Sequence, residues 1–219
     1  CDILEKADNF DLAVHDMIKE NIAKHKRIVF SGNGYSEEWV EEAKRRGLPN
    51  LQTMVDAIPA LTTEKAVALF EKFGVFTRAE LESRAEIQYE TYAKVINIEA
   101  KSMIDIASKQ LIPAVIKYTK ELADTVIAVK ACGVDASVQE EILRKITVYL
   151  TEARNALEKL KELDSQGRKL ERGEKQAKFF NKQVVPAMEA LRKPIDKLEM
   201  IVEKDVWPMP SYGDLIFEV

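Results

Sequence analysis

The last long stretch of the chain carries an apolar repeat that strongly restricts how it can fold. Its apolar residues are spaced 3, 4, 4, 3, 4, 3 and 4 positions apart, and they are Ala177, Phe180, Val184, Met188, Leu191, Ile195, Leu198 and Val202. This spacing places one continuous apolar stripe along one side of an α-helix. Such a stripe leaves water only when another helix packs against it, so the repeat predicts a helical bundle.

The preceding segment has the same kind of stripe. Its apolar residues are spaced 4, 3, 4, 4 and 3 positions apart, and they are Ile142, Ile146, Tyr149, Ala153, Leu157 and Leu160. Ser137 and Glu140 have the spacing of a capping box, which predicts a helix that begins there and ends at about Asp164. A polar and partly basic turn is predicted over 165–173.

A third helical pattern begins at Thr77, which has the capping-box spacing with Glu80, and continues to about Ala131. We expect one face of it to carry Leu81, Ala85, Gln88, Tyr92, Val95, Glu99 and Ser102. Glu99 is therefore a candidate buried carboxylate, which would need an Arg, Lys or Tyr partner from a neighbouring helix. Pro113 lies inside the pattern and predicts a kink or a break there.

Two of the proline-containing segments are similar to each other. The residues 110–115 read QLIPAV, and 73 positions later the residues 183–188 read QVVPAM. Two bundle helices with equivalent proline kinks would explain the similarity. Internal duplication and a coincidence of similar helix chemistry are the two origins that the sequence leaves open. Pro194 predicts further bending in the last helix.

The residues 1–76 are predicted to form a smaller N-terminal domain of short helices. Helical patterns cover Phe10 to about His25, Ser36 to Gly47, and Thr63 to Phe73. Between the first two helices, the β-branched run Arg27–Phe30 predicts a short strand that is followed by a turn.

The residues 207–219 are predicted to form an extended tail, because two prolines and a glycine exclude a helix at its start. Its last five residues, 215–219, read as a second strand. An isolated strand would leave its backbone groups unpaired, so we expect the two strands to pair with each other or with a sheet outside this sequence. The predicted fold class is mainly α, with an elongated antiparallel bundle of long, partly proline-kinked helices over 77–206.

Composition excludes several classes of function. The chain of 219 residues has 33 Lys and Arg against 37 Asp and Glu, and this acidic balance disfavours a general nucleic-acid binder. No apolar run approaches the roughly 18 residues of a membrane span. Two cysteines, Cys1 and Cys132, cannot form the disulfide framework of a small secreted protein. We therefore expect a cytoplasmic protein without nucleic-acid or membrane partners, and the missing initiator Met suggests a part of a longer polypeptide.

The sequence Gly32-Asn33-Gly34 is the first candidate site, since a strand, a glycine-rich turn and a helix follow one another in phosphate-binding loops. The third glycine of such loops is absent. Glu37 and Glu38 open the following helix and would repel a phosphate. These features favour a structural turn.

The remaining candidates are weaker. His15 and His25 are ten residues apart, so they do not share a helix face as a metal-binding pair does, and Cys132 ends a helix beside Gly133 without an activating neighbour. The cations of 168–182 could bind an anion or an acidic partner, but a solvated loop is favoured; they are Arg168, Lys169, Arg172, Lys175, Lys178 and Lys182. The residues alone therefore assign no catalytic, cofactor-binding or metal-binding side chain.

Six segments carry a resemblance to a known family, and they occur in its order along essentially the whole chain. They are 24–43 (KHKRIVFSGNGYSEEWVEEA), 69–77 (LFEKFGVFT), 80–84 (ELESR), 96–100 (INIEA), 186–192 (PAMEALR) and 207–215 (WPMPSYGDL). Together they resemble the C-terminal region of type III glutamine synthetases, the large bacterial class.

The resemblance implies a parent enzyme of nitrogen assimilation, an ATP-dependent ligase that joins ammonia to glutamate through γ-glutamyl phosphate. In that family ATP and a divalent metal, Mg or Mn, bind to a catalytic domain upstream of the region that this chain resembles. No catalytic, ATP-contacting or metal-binding residue is therefore transferred to this chain, and no cofactor is expected within it.

The resemblance also implies a partner and a role. Family members assemble as homo-oligomeric rings that stack in pairs, and the helical C-terminal part would support the subunit or its assembly beside the upstream catalytic domain. Long helices with continuous apolar stripes suit such a role. A free-standing helical module that docks another protein is the alternative, and it would close its core without an upstream domain.

Overall fold

The computed structural model describes residues 3–217 and divides into two compact units, one that ends at Thr53 and one that begins at Met54. The first unit contains α1 (Phe10–His25), a 3₁₀ turn (Lys26–Ile28) and α2 (Glu37–Arg45). The helix predicted over Phe10–His25 is confirmed.

The second unit contains the long helices. Its elements are α3 (Met54–Ala57), a 3₁₀ segment (Ile58–Thr62), α4 (Glu64–Lys72), α5 (Arg78–Ile106), a π turn (Ala107–Leu111), α6 (Ile112–Ala131), α7 (Ser137–Arg168), α8 (Glu174–Phe179), a second π turn (Phe180–Val184), α9 (Val185–Glu199) and α10 (Tyr212–Phe217). The predicted mainly α class is confirmed. Within residues 3–217, no helix combines the length and the apolar character needed to cross a bilayer.

Three helices begin where capping side chains predict. The hydroxyls of Ser36, Thr63 and Thr77 each accept a hydrogen bond from the backbone N–H three residues later. Thr77 and Glu80 form the predicted capping box in both directions. Each such cap stabilises its helix by about 1 kcal/mol. Gly47 follows α2 with a φ of 68°, a conformation that glycine adopts without strain and that ends helices.

The capping box predicted for Ser137 and Glu140 is wrong, although α7 begins at Ser137. The Ser137 hydroxyl donates to Asp135 Oδ2 at 2.6 Å instead of capping the helix, and Asp135 Oδ1 accepts the Ser137 N–H at 3.2 Å. The Glu140 carboxylate pairs with Lys130. The helix also continues to Arg168, so it includes the first part of the turn predicted over 165–173.

Both long proline-containing helices are interrupted by a π turn that ends two residues before a proline. The turns cover 107–111 and 180–184, and they precede Pro113 and Pro186 by the same 73-residue offset that the sequence shows. Proline has no N–H and its ring clashes with the carbonyl four residues earlier, so the wider turn relieves both conflicts. The predicted interruptions are confirmed. Pro194 is accommodated within α9.

The stripes of α7 and α9 form the centre of the core, and these two helices make the most extensive contact in the unit. The predicted stripe positions are confirmed, and those at most 1% exposed are Ile146, Ala153, Leu157, Leu160, Ala177, Phe180, Val184, Leu191 and Leu198. Burying one such large side chain contributes about 1.5–3 kcal/mol. The neighbouring helices α5 and α6 also pack against α7.

The buried face of α5 differs from the predicted one after Ala85. Its buried residues are Leu81, Ala85, Tyr89, Ala93 and Ala100. The prediction of a buried Glu99 is wrong, because the true stripe advances in steps of four from Leu81 to Ala93 and then by seven to Ala100, which leaves Glu99 exposed. The buried positions are mostly alanines, which allow close helix contact, whereas the bulky Ile87 and Ile98 are 61% and 64% exposed.

The residues 54–72 contact α5 through the 3₁₀ segment Ile58–Thr62, α3 and α4. Val55, Ile58 and Val67 are at most 2% exposed in this region. These contacts place the residues 54–72 in the same compact unit as the long helices. The sequence predicts instead that these residues belong with the N-terminal residues 1–53.

The strand predicted over Arg27–Phe30 is wrong, and the structure has no strand within residues 3–217. Its first residues form the 3₁₀ turn. The carbonyls of Arg27 and Val29 accept hydrogen bonds from the Arg46 guanidinium at 3.2 and 2.7 Å. A side chain thus satisfies the backbone groups that would otherwise require a partner strand.

The second predicted strand is also wrong where the structure describes it. The residues 212–217 form α10, while 218 and 219 lie outside the described residues. Asp214 Oδ2 accepts the Ser211 N–H at 2.7 Å, and the Ser211 hydroxyl accepts the Asp214 N–H at 3.3 Å. This reciprocal pair is a capping box, which favours a helix over an extended tail.

Candidate functional site

The glycine-rich turn is packed by aromatic side chains. A Cβ at Gly32 would fall 2.5 Å from the Phe30 ring, so glycine is required for this approach. Phe30 stacks on Trp39 with the ring centroids 4.2 Å apart, and the Arg46 guanidinium lies 5.6 Å from the Trp39 ring. This packing supports the structural interpretation of the turn.

The histidines and the described cysteine are exposed. His15 and His25 are residues of α1, and Cys132 lies at the end of α6. His15 Nδ1 lies 3.3 Å from Asp16 Oδ1. Within residues 3–217, no three His, Cys, Asp or Glu side chains are grouped as a metal ion requires.

The basic stretch 168–182 begins at the end of α7, passes through Gly173 and continues into α8 and the second π turn. Two of its cations are paired: Arg168 Nε lies 3.0 Å from Asp164 Oδ2, and Lys178 Nζ lies 2.5 Å from Glu174 Oε1. Arg172 has no hydrogen-bond or ion-pair partner among residues 3–217. The stretch is therefore partly a neutralised helix surface and partly available for binding.

A polar cavity of about 250 Å³ lies where α5 faces the end of α7 and the start of α8. Its polar lining consists of Glu90, Lys94, Asn97, Arg168, Arg172 and Gln176, and we call the space that they surround the polar cavity. Ala93 and Phe180 supply the apolar part of the lining. None of these residues is a nucleophile of the Ser or Cys type, so the arrangement suits binding better than covalent chemistry.

A buried carboxylate fixes one side of the polar cavity. Asp164 is only 3% exposed, and its Oδ1 accepts a hydrogen bond from Asn97 Nδ2 at 2.5 Å. Its Oδ2 accepts from Arg168 Nε at 3.0 Å. Gln176 Nε2 donates to the carbonyl of Gly167 at 3.0 Å, which fixes the other amide. Because both amide NH₂ groups are engaged, the orientations of the two amide oxygens are set as well.

Charge at the polar cavity is weighted towards cations. Lys94 Nζ lies 2.9 Å from Glu90 Oε2, and this contact lowers the pKa of Glu90, to which Arg172 adds a smaller effect. Glu90 is therefore ionised at neutral pH. The neighbouring Tyr89 has a raised pKa, first because of burial and second because of the Glu174 charge, so its phenol stays protonated.

Sequence reasoning missed the Asp164 carboxylate, although the chain contains a signal for it. The α7 stripe continues from Leu160 by a step of four to Asp164, and Arg168 follows four residues later. A carboxylate on an apolar stripe with an arginine at this spacing is typical of a buried, paired acid. The predicted buried acid was Glu99 of α5 instead.

The comparisons with known proteins assign the family. A family model described as "Glutamine synthetase C-terminal domain" matches residues 13–130, which is more than half of the chain. The chain belongs to this family. The resemblance to the C-terminal region of type III glutamine synthetases is therefore confirmed.

Full-length relatives agree with this assignment. The chain is 32% identical over 214 residues to "Glutamine synthetase" of Butyrivibrio fibrisolvens, covering 97% of the chain and 31% of that protein. It is 34% identical over 218 residues to "Type-3 glutamine synthetase" of Dictyostelium discoideum, with 97% and 30% covered, and 28% identical to the enzyme of Bacteroides fragilis, with 98% and 30% covered. The chain thus spans about three tenths of the length of these relatives.

Proposed function

We propose that the chain is the accessory helical domain at the C-terminal end of a glutamine synthetase. In this proposal it supports the structure of the subunit or the assembly of rings and is not catalytic by itself. The observation that carries the proposal is coverage, because 97–98% of the chain aligns with only 30–31% of each relative. The remaining length of such an enzyme would hold the ATP and divalent-metal sites for cytoplasmic glutamine formation from glutamate and ammonia.

The exposed apolar side chains of α1 support a role beside another domain. No residue of α1 is buried, and its apolar side chains Phe10, Leu12, Ile18 and Ile22 are 49–62% exposed. A group of exposed apolar side chains on one helix is typical of a surface that a partner covers. We propose the catalytic domain of the same polypeptide or of a neighbouring subunit as that partner.

The first experiment recovers the native polypeptide from its source cells with an antibody raised against this chain. Its intact mass and its ATP-dependent formation of glutamine are then measured. We expect a subunit about three times heavier than 24.9 kDa that carries the activity. A polypeptide of about 24.9 kDa without activity would contradict the proposal and favour a free-standing interaction module.

A second experiment tests the supporting role in that native polypeptide. Ile22→Lys places a charge beside Ile18 among the exposed apolar side chains of α1, where Ile22 is 62% exposed, so the chain itself should fold normally. We expect a smaller assembled fraction by analytical ultracentrifugation. Glu20→Lys introduces the same side chain at an exposed polar position of α1 and serves as the control. Equal assembly of both variants and the parent would count against the role of this face.

A further inference from the structure

We propose that the polar cavity binds an acidic amino acid, with its carboxylates on Arg168 and Arg172 and its ammonium group on the amide oxygens. The site is assigned from the geometry of the described residues and does not depend on the proposed function. It lies partly beyond the family match, because the match ends at residue 130 and the two arginines follow it.

The donors of the polar cavity are two guanidinium groups. Arg168 uses its Nε for Asp164, so its terminal NH₂ groups remain available, and its side chain is 49% exposed towards solvent. Arg172 makes no hydrogen bond or ion pair among residues 3–217, and its charge acts on Glu90 only at longer range. Planar guanidinium groups bind carboxylates with two parallel hydrogen bonds, and two of them can hold two carboxylates.

The acceptors of the polar cavity are the amide oxygens of two lining residues. Asn97 and Gln176 each use the amide NH₂ within the protein, at Asp164 and at the Gly167 carbonyl, so each oxygen is left to accept. The ionised Glu90 carboxylate adds a third acceptor beside Lys94. An ammonium group has three donors and no acceptor, and it matches this set.

The net charge of the side chains around the polar cavity restricts which small ligands it can bind. Three cations, Lys94, Arg168 and Arg172, stand against two carboxylates, Glu90 and Asp164, which leaves one excess positive charge. A divalent cation is therefore disfavoured. An amino acid with a side-chain carboxylate has a net charge of −1, which balances the excess, and the cavity of about 250 Å³ limits the ligand to a compact molecule.

The test is isothermal titration calorimetry of the full chain with four probes: L-glutamate, L-glutamine, succinate and inorganic phosphate. L-Glutamine lacks the second carboxylate, succinate lacks the ammonium group, and phosphate lacks both the ammonium and the carboxylates. We expect saturable binding of L-glutamate that is about tenfold tighter than that of each other probe, since each lost charged contact weakens binding by about this factor.

Two matched variants localise the binding. Arg172→Gln removes an exposed cation of the polar cavity and should weaken L-glutamate binding by about tenfold or more. Lys175→Gln removes the same charge from an exposed position of α8 outside the cavity lining and should change binding by less than about twofold. Absence of saturable binding, a probe that equals L-glutamate, or equal effects of the two variants would each overturn the proposal.

Discussion

Replacement of Gly167 by alanine tests how tightly the end of α7 packs on the second π turn. Gly167 is buried, and a Cβ built there would lie 3.0 and 3.1 Å from two atoms of the Phe180 ring and 3.1 Å from Phe179. Ordinary carbon contacts are about 3.5–4.0 Å. Phe180 is 1% exposed, so protein atoms pack around its ring except where it lines the polar cavity.

Two opposing effects determine how much Gly167→Ala changes the free energy of unfolding. Alanine in place of glycine in a helix stabilises by up to about 1 kcal/mol, and somewhat less near a helix end. Overpacking of a well-packed core costs about 1–3 kcal/mol. Because the new methyl would press on both Phe179 and the largely enclosed Phe180, we expect the second effect to be the larger one and Gly167→Ala to lower the free energy of unfolding by about 1 kcal/mol.

The assay is urea unfolding in a double-mutant cycle with Phe180→Leu. The smaller leucine removes the two Phe180 ring atoms that the new methyl would meet but leaves the Phe179 contact, so in this background Gly167→Ala should be less destabilising than in the parent by about 1 kcal/mol. Ser165→Ala, on the same helix, controls for propensity alone. The reasoning is refuted if Gly167→Ala stabilises the parent chain, or if its effect is the same in both backgrounds.

Two further predictions concern carboxylates. Asp164→Ala leaves the amide and the guanidinium that it binds without their acceptor, so it should lower the free energy of unfolding in urea by about 1–3 kcal/mol. The control Asp196→Ala, at an exposed position, should lower it by less than about 0.5 kcal/mol. Equal losses in the two variants would contradict the buried network. For Asp214, hydrogen bonds from Lys204 and then Ser211 lower the pKa from 3.8 to about 2. A lowered pKa stabilises the capped state above the unfolded value, so α10 should be intact above about pH 4 and lose its cap as the pH falls through about 2. Backbone NMR signals of α10 should follow this titration in the parent chain but not in Asp214→Asn, and signals that stay constant in the parent would contradict it.

The parts of the fold that the sequence predicts are those with local or periodic causes. The stripes of α7 and α9 repeat over many turns, and the caps at Ser36 and Thr77 depend on residues three positions away. The face of α5 was only partly predicted, because buried alanines resemble surface alanines in a pattern of apolar residues. In such a pattern the exposed Ile87 and Ile98 fit a core position as well as the buried alanines do.

The features that sequence reasoning missed depend on distant residues. Arg46 satisfies backbone carbonyls 17 and 19 residues away, and no pattern within Arg27–Phe30 indicates that contact. The polar cavity joins Asn97 to Asp164 across 67 positions, so only the packing of α5 on α7 creates it. The spacing of Ser211 and Asp214 indicates a capping box, but the neighbouring prolines favour an extended tail, and the prediction followed the prolines.

The π turn before Pro113 also accommodates one extra residue without changing the phase of the helix that follows it. A π turn contains one residue more than the α-helical path would need, and each α-helical residue rotates the chain by about 100°. Deleting one residue from 107–111 would therefore restore the plain α-helical path and keep buried side chains such as Val115 and Val126 of α6 towards the core, but Pro113 would then clash with the carbonyl four residues earlier. A deletion within the regular part of α5 would instead rotate every residue that follows by about 100°. We therefore expect family members that lack one residue in this turn to lack the proline as well.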